Sequence, residues 1–269
     1  MFSLFNTYPF KEIYIVHGLK RSGNHAIMRW ITAQGKFHVL NNAIPIVPFL
    51  QGLQILEAPK PYNTWLKNRF SRRRFSLVKR IFQEPYSLLI SIEDHELSTL
   101  LFTDPLIKVT HILILRDPVN MFASRIRKSA LVKSPAYPDQ YNVLMERVIG
   151  LWKRYAAEFL GDTHILENKI CIYFNAWHSS RDYRMEIAKR LGLTFTDAGY
   201  QDVPDIGGGS SFDGITFNQM AGKMNVLDRT SALSAQEKQL LERIFDDAEL
   251  LDLHQRVERC MAGAPASYL

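Results

Sequence analysis

Short apolar segments recur along the chain and are separated by polar stretches. Five of these segments are continuously β-branched or aliphatic, a pattern typical of parallel strands that are buried on both faces. They cover residues 13–16, 37–40, 87–92, 111–115 and 169–174. We therefore predict five buried strands.

Helical patterns, in which apolar residues recur every three or four positions, lie between and after these strands. The first pattern ends near Gly35, and Ser234 with Glu237 forms a capping box that predicts the start of the fourth pattern. The four apolar stripes consist of Ile27, Trp30 and Ile31; Leu144, Val148, Leu151, Trp152, Tyr155 and Phe159; Ile187 and Leu191, followed by Gly192; and Leu240, Leu241 and Ile244.

The alternation of strands and helices predicts an α/β protein with a three-layer, doubly wound and mainly parallel sheet. Ligands of such sheets bind at the carboxyl ends of the strands. A chain of 269 residues fits a single domain over 1–269. Prolines predict an irregular insertion at about 41–80 and a lid at about 129–142, and a glycine-rich loop follows at 207–212.

Composition and charge limit the class of protein. The chain is 46% hydrophobic and 22% charged, as soluble globular proteins are, and no apolar run approaches the roughly 20 residues of a membrane helix. The first residues lack the features of a secretory signal. Cys171 and Cys260 are too few for a disulfide framework or a zinc site, so we expect a cytoplasmic protein. A net charge of +6 favours anionic partners.

The first predicted strand leads into a loop with the features of a phosphate site. Gly18 and Gly23 have the spacing of the nucleotide-binding G-x-x-x-x-G loop, whose backbone N–H groups surround phosphates at a helix N-terminus. Asn24 and His25 replace the Lys-Ser/Thr pair that contacts the terminal phosphates and Mg²⁺ in ATPases and GTPases. The loop therefore predicts a phosphate donor used without a metal.

A second strand, turn and helix surrounds Arg116. Asp117 is suited to cap the helix and Pro118 to occupy its first turn, which leaves Arg116 beside the helix N-terminus. Such an arginine can bind a phosphate through two N–H groups. Ser124 lies about two helical turns further on and could face the same pocket. The alternative is that Arg116 pairs with a structural carboxylate and Ser124 is only a small helix residue.

Together the two motifs resemble those of the sulfotransferases that use 3′-phosphoadenosine-5′-phosphosulfate (PAPS). The layout is compatible with that family from about residue 12 to 250, although Asn24-His25 replaces the usual Thr-Thr pair. The motifs are Lys20-Arg21-Ser22-Gly23 after a strand, and Leu115-Arg116-Asp117-Pro118 with Ser124.

The resemblance implies a P-loop-NTPase-like sulfotransferase fold, with PAPS as co-substrate and no metal. In that family the first loop holds the 5′-phosphosulfate, and the second Arg/Ser pair holds the 3′-phosphate. The side chain of Asn24 could donate to phosphate through its amide, and His25 could donate or simply pack. The residues implied to bind the cofactor are Lys20, Arg21, Ser22, Gly23, Asn24, His25, Arg116, Ser124, Ser210 and Ser211.

The resemblance also implies direct in-line transfer of the sulfuryl group to a hydroxyl or amine. Arg21 takes the catalytic place of the family's loop lysine, with Lys20 as a neighbouring candidate. The base would be Glu93 or His95, which point to the same side if the extended backbone continues through both. The alternative is that Asp94 or Glu93 caps a following helix.

Two late segments add candidates. The loop at 207–212 could reach the 3′-phosphate through Ser210 and Ser211, with charge from Lys223 or Arg229, or it could be a plain flexible connection. Tyr173, Phe174 and Trp177 could flank an adenine or belong to the core.

A basic run over 67–80 contains no acidic residue. It is either a solvated face or a contact for an anionic acceptor or a peripheral membrane surface. We expect a glycan, lipid or small natural-product acceptor, and no nucleic acid. The alternatives are a P-loop kinase or NTPase, or a basic module that binds nucleic acid or membrane surfaces.

Overall fold

The computed structural model describes residues 10–41, 86–97, 108–129, 138–205 and 209–263. The predicted insertion, apart from residue 41, and the basic run over 67–80 lie outside these ranges, as do the first two residues of the glycine-rich loop. The single-domain prediction stays a prediction.

Five parallel strands form one sheet in the described part of the chain. They are β1 (Phe10–Gly18), β2 (Phe37–Leu40), β3 (Tyr86–Glu93), β4 (Val109–Leu115) and β5 (Lys169–Tyr173), in the spatial order β2-β3-β1-β4-β5. All five predicted strands are confirmed. Phe174, which we predicted as the last residue of β5, instead begins a helix.

The helices are α1 (Asn24–Thr32), α2 (Pro118–Lys128), α3 (Pro138–Leu160), α4 (Phe174–Ser179), α5 (Arg181–Arg190), α6 (Ala235–Ile244) and α7 (Ala248–Gly263). Short 3₁₀ turns cover Ala221–Lys223 and Thr230–Ala232. The capping box of α6 is confirmed, because the Ser234 hydroxyl accepts from the Glu237 N–H and the Glu237 carboxylate accepts from the Ser234 N–H. The last residues of the predicted lid are the first turn of α3, where proline is well tolerated.

Helices cover both faces of the sheet. Leu113 and Leu115 of β4 pack into one buried cluster with residues of α2, α3 and α7. Ile112 and Ile114 alternate with them and pack into a second cluster with residues of α1 and α5. The predicted three-layer α/β architecture is therefore confirmed.

At β1 the chain changes from adding strands on one side to adding them on the other, which places a crevice at the carboxyl ends of the central strands. After β1 the chain builds β2 and β3 on one side of it and then β4 and β5 on the other. In the register, Gly18 at the end of β1 lies opposite Glu93 in β3 and Ile114 in β4. A crevice forms where the connections diverge in opposite directions, at the carboxyl ends of these strands.

Two histidines lie in the middle of the sheet. The Nε2 atom of His17 in β1 is 2.9 Å from the Nδ1 atom of His111 in β4. Burial lowers the pKa of His17 to about 3, with a further contribution from His111, and burial lowers the pKa of His111 to about 4. Both rings are therefore neutral at neutral pH.

No described helix is long and apolar enough to cross a membrane.

Candidate functional site

A cavity of about 400 Å³ opens at the carboxyl ends of the central strands, within the size range of small-molecule sites. Among the predicted site residues, Ser22 and His95 are not part of its lining. The predicted site residues that do line it are Lys20, Arg21, Gly23, Asn24, His25, Glu93, Arg116, Ser124, Ser210 and Ser211.

The loop between β1 and α1 presents a helix N-terminus to this cavity. Arg21 and Gly23 both have left-handed φ angles, of 74° and 86°, and the Ser22 N–H turns back to the Leu19 carbonyl at 3.0 Å. Gly23 is the N-cap of α1 and supplies no side-chain hydrogen bond. The first backbone N–H groups of a helix have no partner within the helix. They are therefore available to an anion in the cavity.

Phe174 packs directly against this turn. A Cβ atom at Gly23 would lie 2.1 Å from the Cε2 atom of Phe174, so only glycine fits there. The same ring lies under the Arg116 guanidinium, whose carbon is 4.7 Å from the ring centroid. One aromatic ring therefore contacts both predicted anion sites.

Arg116 follows β4 and is 5% exposed. It donates to the Arg21 carbonyl at 2.8 Å and to the Val226 carbonyl. Its Nε atom has no hydrogen-bond partner among the described residues, and the Asp117 carboxylate lies 3.9 Å away. Burial lowers the pKa of Arg116 to about 10. The side chain therefore stays charged at neutral pH, without a carboxylate in hydrogen-bond contact in the described structure.

Asp117 is the N-cap of α2, as predicted, and accepts the Asn120 N–H at 2.7 Å. Ser124, on the same helix, is buried at the cavity wall. The structure therefore brings Arg116 and Ser124 to one pocket, as the spacing of the second motif predicted.

Arg229 supplies a second buried guanidinium. It donates to the Asp213 carboxylate at 2.7 Å and to the Ser210 hydroxyl at 3.2 Å. Lys223, the other candidate for this charge, is exposed and is not part of the cavity lining. The Ser210 hydroxyl is engaged within its own turn, whereas the Ser211 hydroxyl is buried without a hydrogen-bond partner among the described residues. Ser211 is therefore the freer hydroxyl of this loop.

Glu93 places a carboxylate in the cavity, beside the start of α1. It is buried, and its Oε1 atom accepts from the Asn24 amide at 2.9 Å. The Nε2 atom of His25 lies 3.7 Å from the same oxygen. This carboxylate can accept a proton from a group bound in the cavity.

His95 is not beside Glu93, because β3 ends at Glu93. Asp94 has a left-handed φ of 59°, and its carboxylate accepts the Lys20 N–H at 2.9 Å and pairs with Arg125. The extended backbone that would have aligned Glu93 with His95 is therefore interrupted. The side chain of Lys20, the neighbouring candidate to Arg21, is exposed and lines the cavity.

Aromatic side chains form the far end of the cavity. Phe174 and Trp177, two of the predicted candidates, line it together with His178 and Tyr200. The Trp177 Nε1 atom is buried without a hydrogen-bond partner among the described residues. His178 stacks on Phe174 with ring centroids 6.0 Å apart. This wall can hold a planar base, with Trp177 as a free donor.

Two residues at this end correct or extend the prediction. Tyr173 packs into the cluster on the other face of the sheet, where its hydroxyl donates to Glu258. His178 was not predicted from the sequence because this residue lies in neither of the two phosphate-site motifs. Burial lowers its pKa to about 4, and the Arg116, Arg184 and Arg229 guanidinium groups contribute. The His178 ring is therefore neutral at neutral pH.

In the described ranges, His, Cys, Asp and Glu side chains form no group of three that could hold a metal ion.

No protein-family model matches the chain, and no curated protein sequence does. Among solved structures, the chain is similar to the mouse sulfotransferase SULT7A1 complexed with PAP. The identity is 12%, the match covers 94% of this chain and 90% of that chain, and the TM-score is 0.42. A likeness at this level does not determine function, which has to be argued from the cavity itself.

Proposed function

We propose that the protein is a sulfotransferase that moves the sulfuryl group of PAPS to a hydroxyl or amine of an acceptor. The observation that carries this proposal is the convergence of three features in one cavity. These features are an open helix N-terminus, a buried guanidinium without a hydrogen-bonded carboxylate in the described structure, and a buried carboxylate that lines the same cavity. Two anion sites and a base are what transfer from a bisphosphate nucleotide requires.

The donor is oriented by charge and by the aromatic wall. The α1 N-terminus and Arg21 receive the 5′-phosphosulfate, and Arg116 with Ser124 receives the 3′-phosphate. Arg229 and Ser211 add charge and a free hydroxyl on that side. The adenine lies against the far aromatic end of the cavity.

Transfer follows from this arrangement. The acceptor's O–H or N–H proton passes to Glu93 while the acceptor forms a bond to sulfur. The bond between sulfur and the bridging oxygen of the 5′-phosphate breaks, and its electrons stay on that oxygen. Arg21 and the α1 N-terminus offset the charge that develops there. Burial lowers the pKa of Arg21, as does the neighbouring Arg125 charge, while Glu93 opposes both effects.

A P-loop kinase or NTPase is the alternative enzyme. Asn24 and His25 argue against it because they replace the lysine and hydroxyl that act on the terminal phosphates and Mg²⁺. The strand β4 also leads into Arg116, where such enzymes have a carboxylate for the metal. A glycan, lipid or small natural-product acceptor and a cytoplasmic location belong to the same proposal, and the basic run over 67–80 suits an anionic acceptor.

Calorimetric titration with 3′-phosphoadenosine-5′-phosphate, without Mg²⁺, tests the proposal. ATP and 5′-AMP serve as controls. We expect tight binding that requires the 3′-phosphate. Binding of ATP with Mg²⁺, without binding of the bisphosphate, would replace the sulfotransferase by the kinase.

A further inference from the structure

We propose that Asn24 is a positioning residue for the base Glu93, and that its side chain does not bind the phosphosulfate. This inference deepens the proposed sulfotransferase function and rests on it. Asn24 stands where nucleotide-binding loops have the lysine that contacts phosphate. In this protein, the residue at that position instead orients the base that takes the acceptor's proton.

The amide of Asn24 has no donor left for a phosphate. Its Nδ2 atom donates to the Leu19 carbonyl at 3.1 Å and to the Glu93 carboxylate at 2.9 Å. An asparagine amide has only two N–H bonds. The Oδ1 atom, which can only accept, has no partner among the described residues. Reversing the amide would bring Oδ1 against two oxygens, so the contacts themselves fix its orientation.

The β1 strand end is built to let this amide reach Glu93. Gly18 lies opposite Glu93 in the sheet, and a Cβ atom at Gly18 would lie 2.1 Å from the Asn24 Oδ1 atom. Any larger residue at Gly18 would displace the amide. The first glycine of G-x-x-x-x-G therefore also makes room for the hydrogen bond between Asn24 of α1 and Glu93 of β3.

The contact gives Glu93 a fixed orientation. A buried carboxylate needs hydrogen-bond donors, and Asn24 supplies one from a side chain that is itself buried. Arg21 from the loop, His25 from α1 and Tyr155 from α3 also interact with this carboxylate. Asn24, which carries no charge, donates the hydrogen bond to Oε1.

A double-mutant cycle tests the proposal, with Asn24→Ala, Glu93→Gln and the double variant. The readouts are turnover of ³⁵S-labelled PAPS, its pH dependence, and calorimetric affinity for 3′-phosphoadenosine-5′-phosphate. Asn168→Ala is a matched control, because its amide donates to the Val109 carbonyl at the start of β4, away from the cavity. It should leave turnover unchanged.

We expect Asn24→Ala to lower turnover about tenfold or more, with bisphosphate affinity kept within about twofold. The pH–rate profile of Asn24→Ala should also differ from that of the wild-type protein. In the Glu93→Gln background, the same substitution should lower turnover less than about twofold, because Asn24 acts through Glu93. Equal losses in both backgrounds, or a loss of bisphosphate affinity that matches the loss of turnover, would overturn the proposal.

The contact itself can be tested without activity. The side-chain amide signals of Asn24 in a ¹⁵N NMR spectrum are identified by their disappearance in Asn24→Ala. We expect these signals to move in Glu93→Gln, because the group that accepts one of the amide N–H bonds is changed. Signals that stay in place in Glu93→Gln would refute the positioning role. Failure of the wild-type protein to bind the bisphosphate would instead refute the proposed function.

Discussion

Arg116 is a buried charge without a hydrogen-bonded carboxylate among the described residues. A buried charge is costly unless a partner offsets it, yet the nearest carboxylate described, on Asp117, is 3.9 Å from the Arg116 Nε atom and already caps α2. Two carbonyl oxygens each accept one of the other four guanidinium hydrogens. A phosphate is the partner that would complete the site.

Replacing Arg116 by alanine should therefore weaken binding of 3′-phosphoadenosine-5′-phosphate by about 1.5–3 kcal/mol, because a charge-assisted phosphate contact is lost. Calorimetry measures the change, and near-ultraviolet circular dichroism checks the fold. Arg256→Ala is the control, since that arginine pairs with Asp162 on the surface. Equal affinities of the two variants would contradict the role of Arg116.

The two candidate bases should behave differently. Glu93 lines the cavity and His95 does not, so Glu93→Gln should lower turnover about 10²–10⁴-fold. His95→Asn should have a much smaller effect, and nucleotide affinity should stay near the wild-type value in both. Initial rates with labelled PAPS measure the difference. A larger loss in His95→Asn would reverse the assignment.

The sequence could not choose between these bases, for a physical reason. Alternation along a strand aligns Glu93 with His95 only while the backbone stays extended. Asp94 leaves that conformation because its carboxylate is held by the Lys20 N–H and by Arg125. These partners come from distant parts of the chain, and no local pattern marks them.

At the scale of elements, the junction between β1 and α1 depends on close packing. Gly23→Ala would place a methyl group against the Phe174 ring in a backbone conformation with φ of 86°. We expect a loss of about 1–3 kcal/mol in the free energy of unfolding, together with weaker nucleotide binding. Denaturant unfolding and calorimetry measure the two effects.

Gly263→Ala is the matched control for that substitution, because nothing lies within 4 Å of a Cβ atom there. Its stability should stay close to that of the wild-type protein. The double variant Gly23→Ala/Phe174→Leu should recover part of the lost stability by relieving the collision. Wild-type stability in Gly23→Ala would mean that the turn is not constrained by Phe174.

The elements were largely predictable because their signals are local. Continuous apolar runs identified every strand, and the capping box identified the start of α6. The start of α3 was missed because Pro138 was interpreted as a loop residue, although proline also suits a first helical turn. Phe174 was missed as a helix start because its apolar character continues that of β5.

At the scale of the whole molecule, buried histidines make stability depend on pH. Burial depresses the pKa values of His17 and His111 to about 3 and 4, below the unfolded value of about 6.5. As pH falls below about 6.5, the unfolded chain binds protons that the native rings do not. The free energy of unfolding should therefore fall, by at most about 1.4 kcal/mol per pH unit for each histidine, down to about pH 4.

Urea unfolding at pH 7, 6 and 5 measures this dependence. His111→Gln keeps a hydrogen-bonding side chain beside His17 and should have a shallower pH dependence. His164→Gln, at an exposed position, should keep the wild-type dependence. Stability that does not fall between pH 7 and pH 5 would contradict the assignment of neutral buried rings.

The position of Val226 and Arg229 in the cavity lining could not be predicted from the sequence. Val226 and Arg229 meet Arg116 and Asn120 through contacts between residues more than a hundred positions apart. The mainly parallel, doubly wound sheet, by contrast, followed from strand and helix alternation, and with it the expectation that ligands bind at the carboxyl ends of its strands.

The hydrogen bond from Arg116 to the Arg21 carbonyl joins the second anion site to the loop of the first. This contact links the positions of the two sites. Under the proposed function we therefore expect weaker binding of a nucleotide whose second phosphate is at the 2′ position, although its charge and its base are the same.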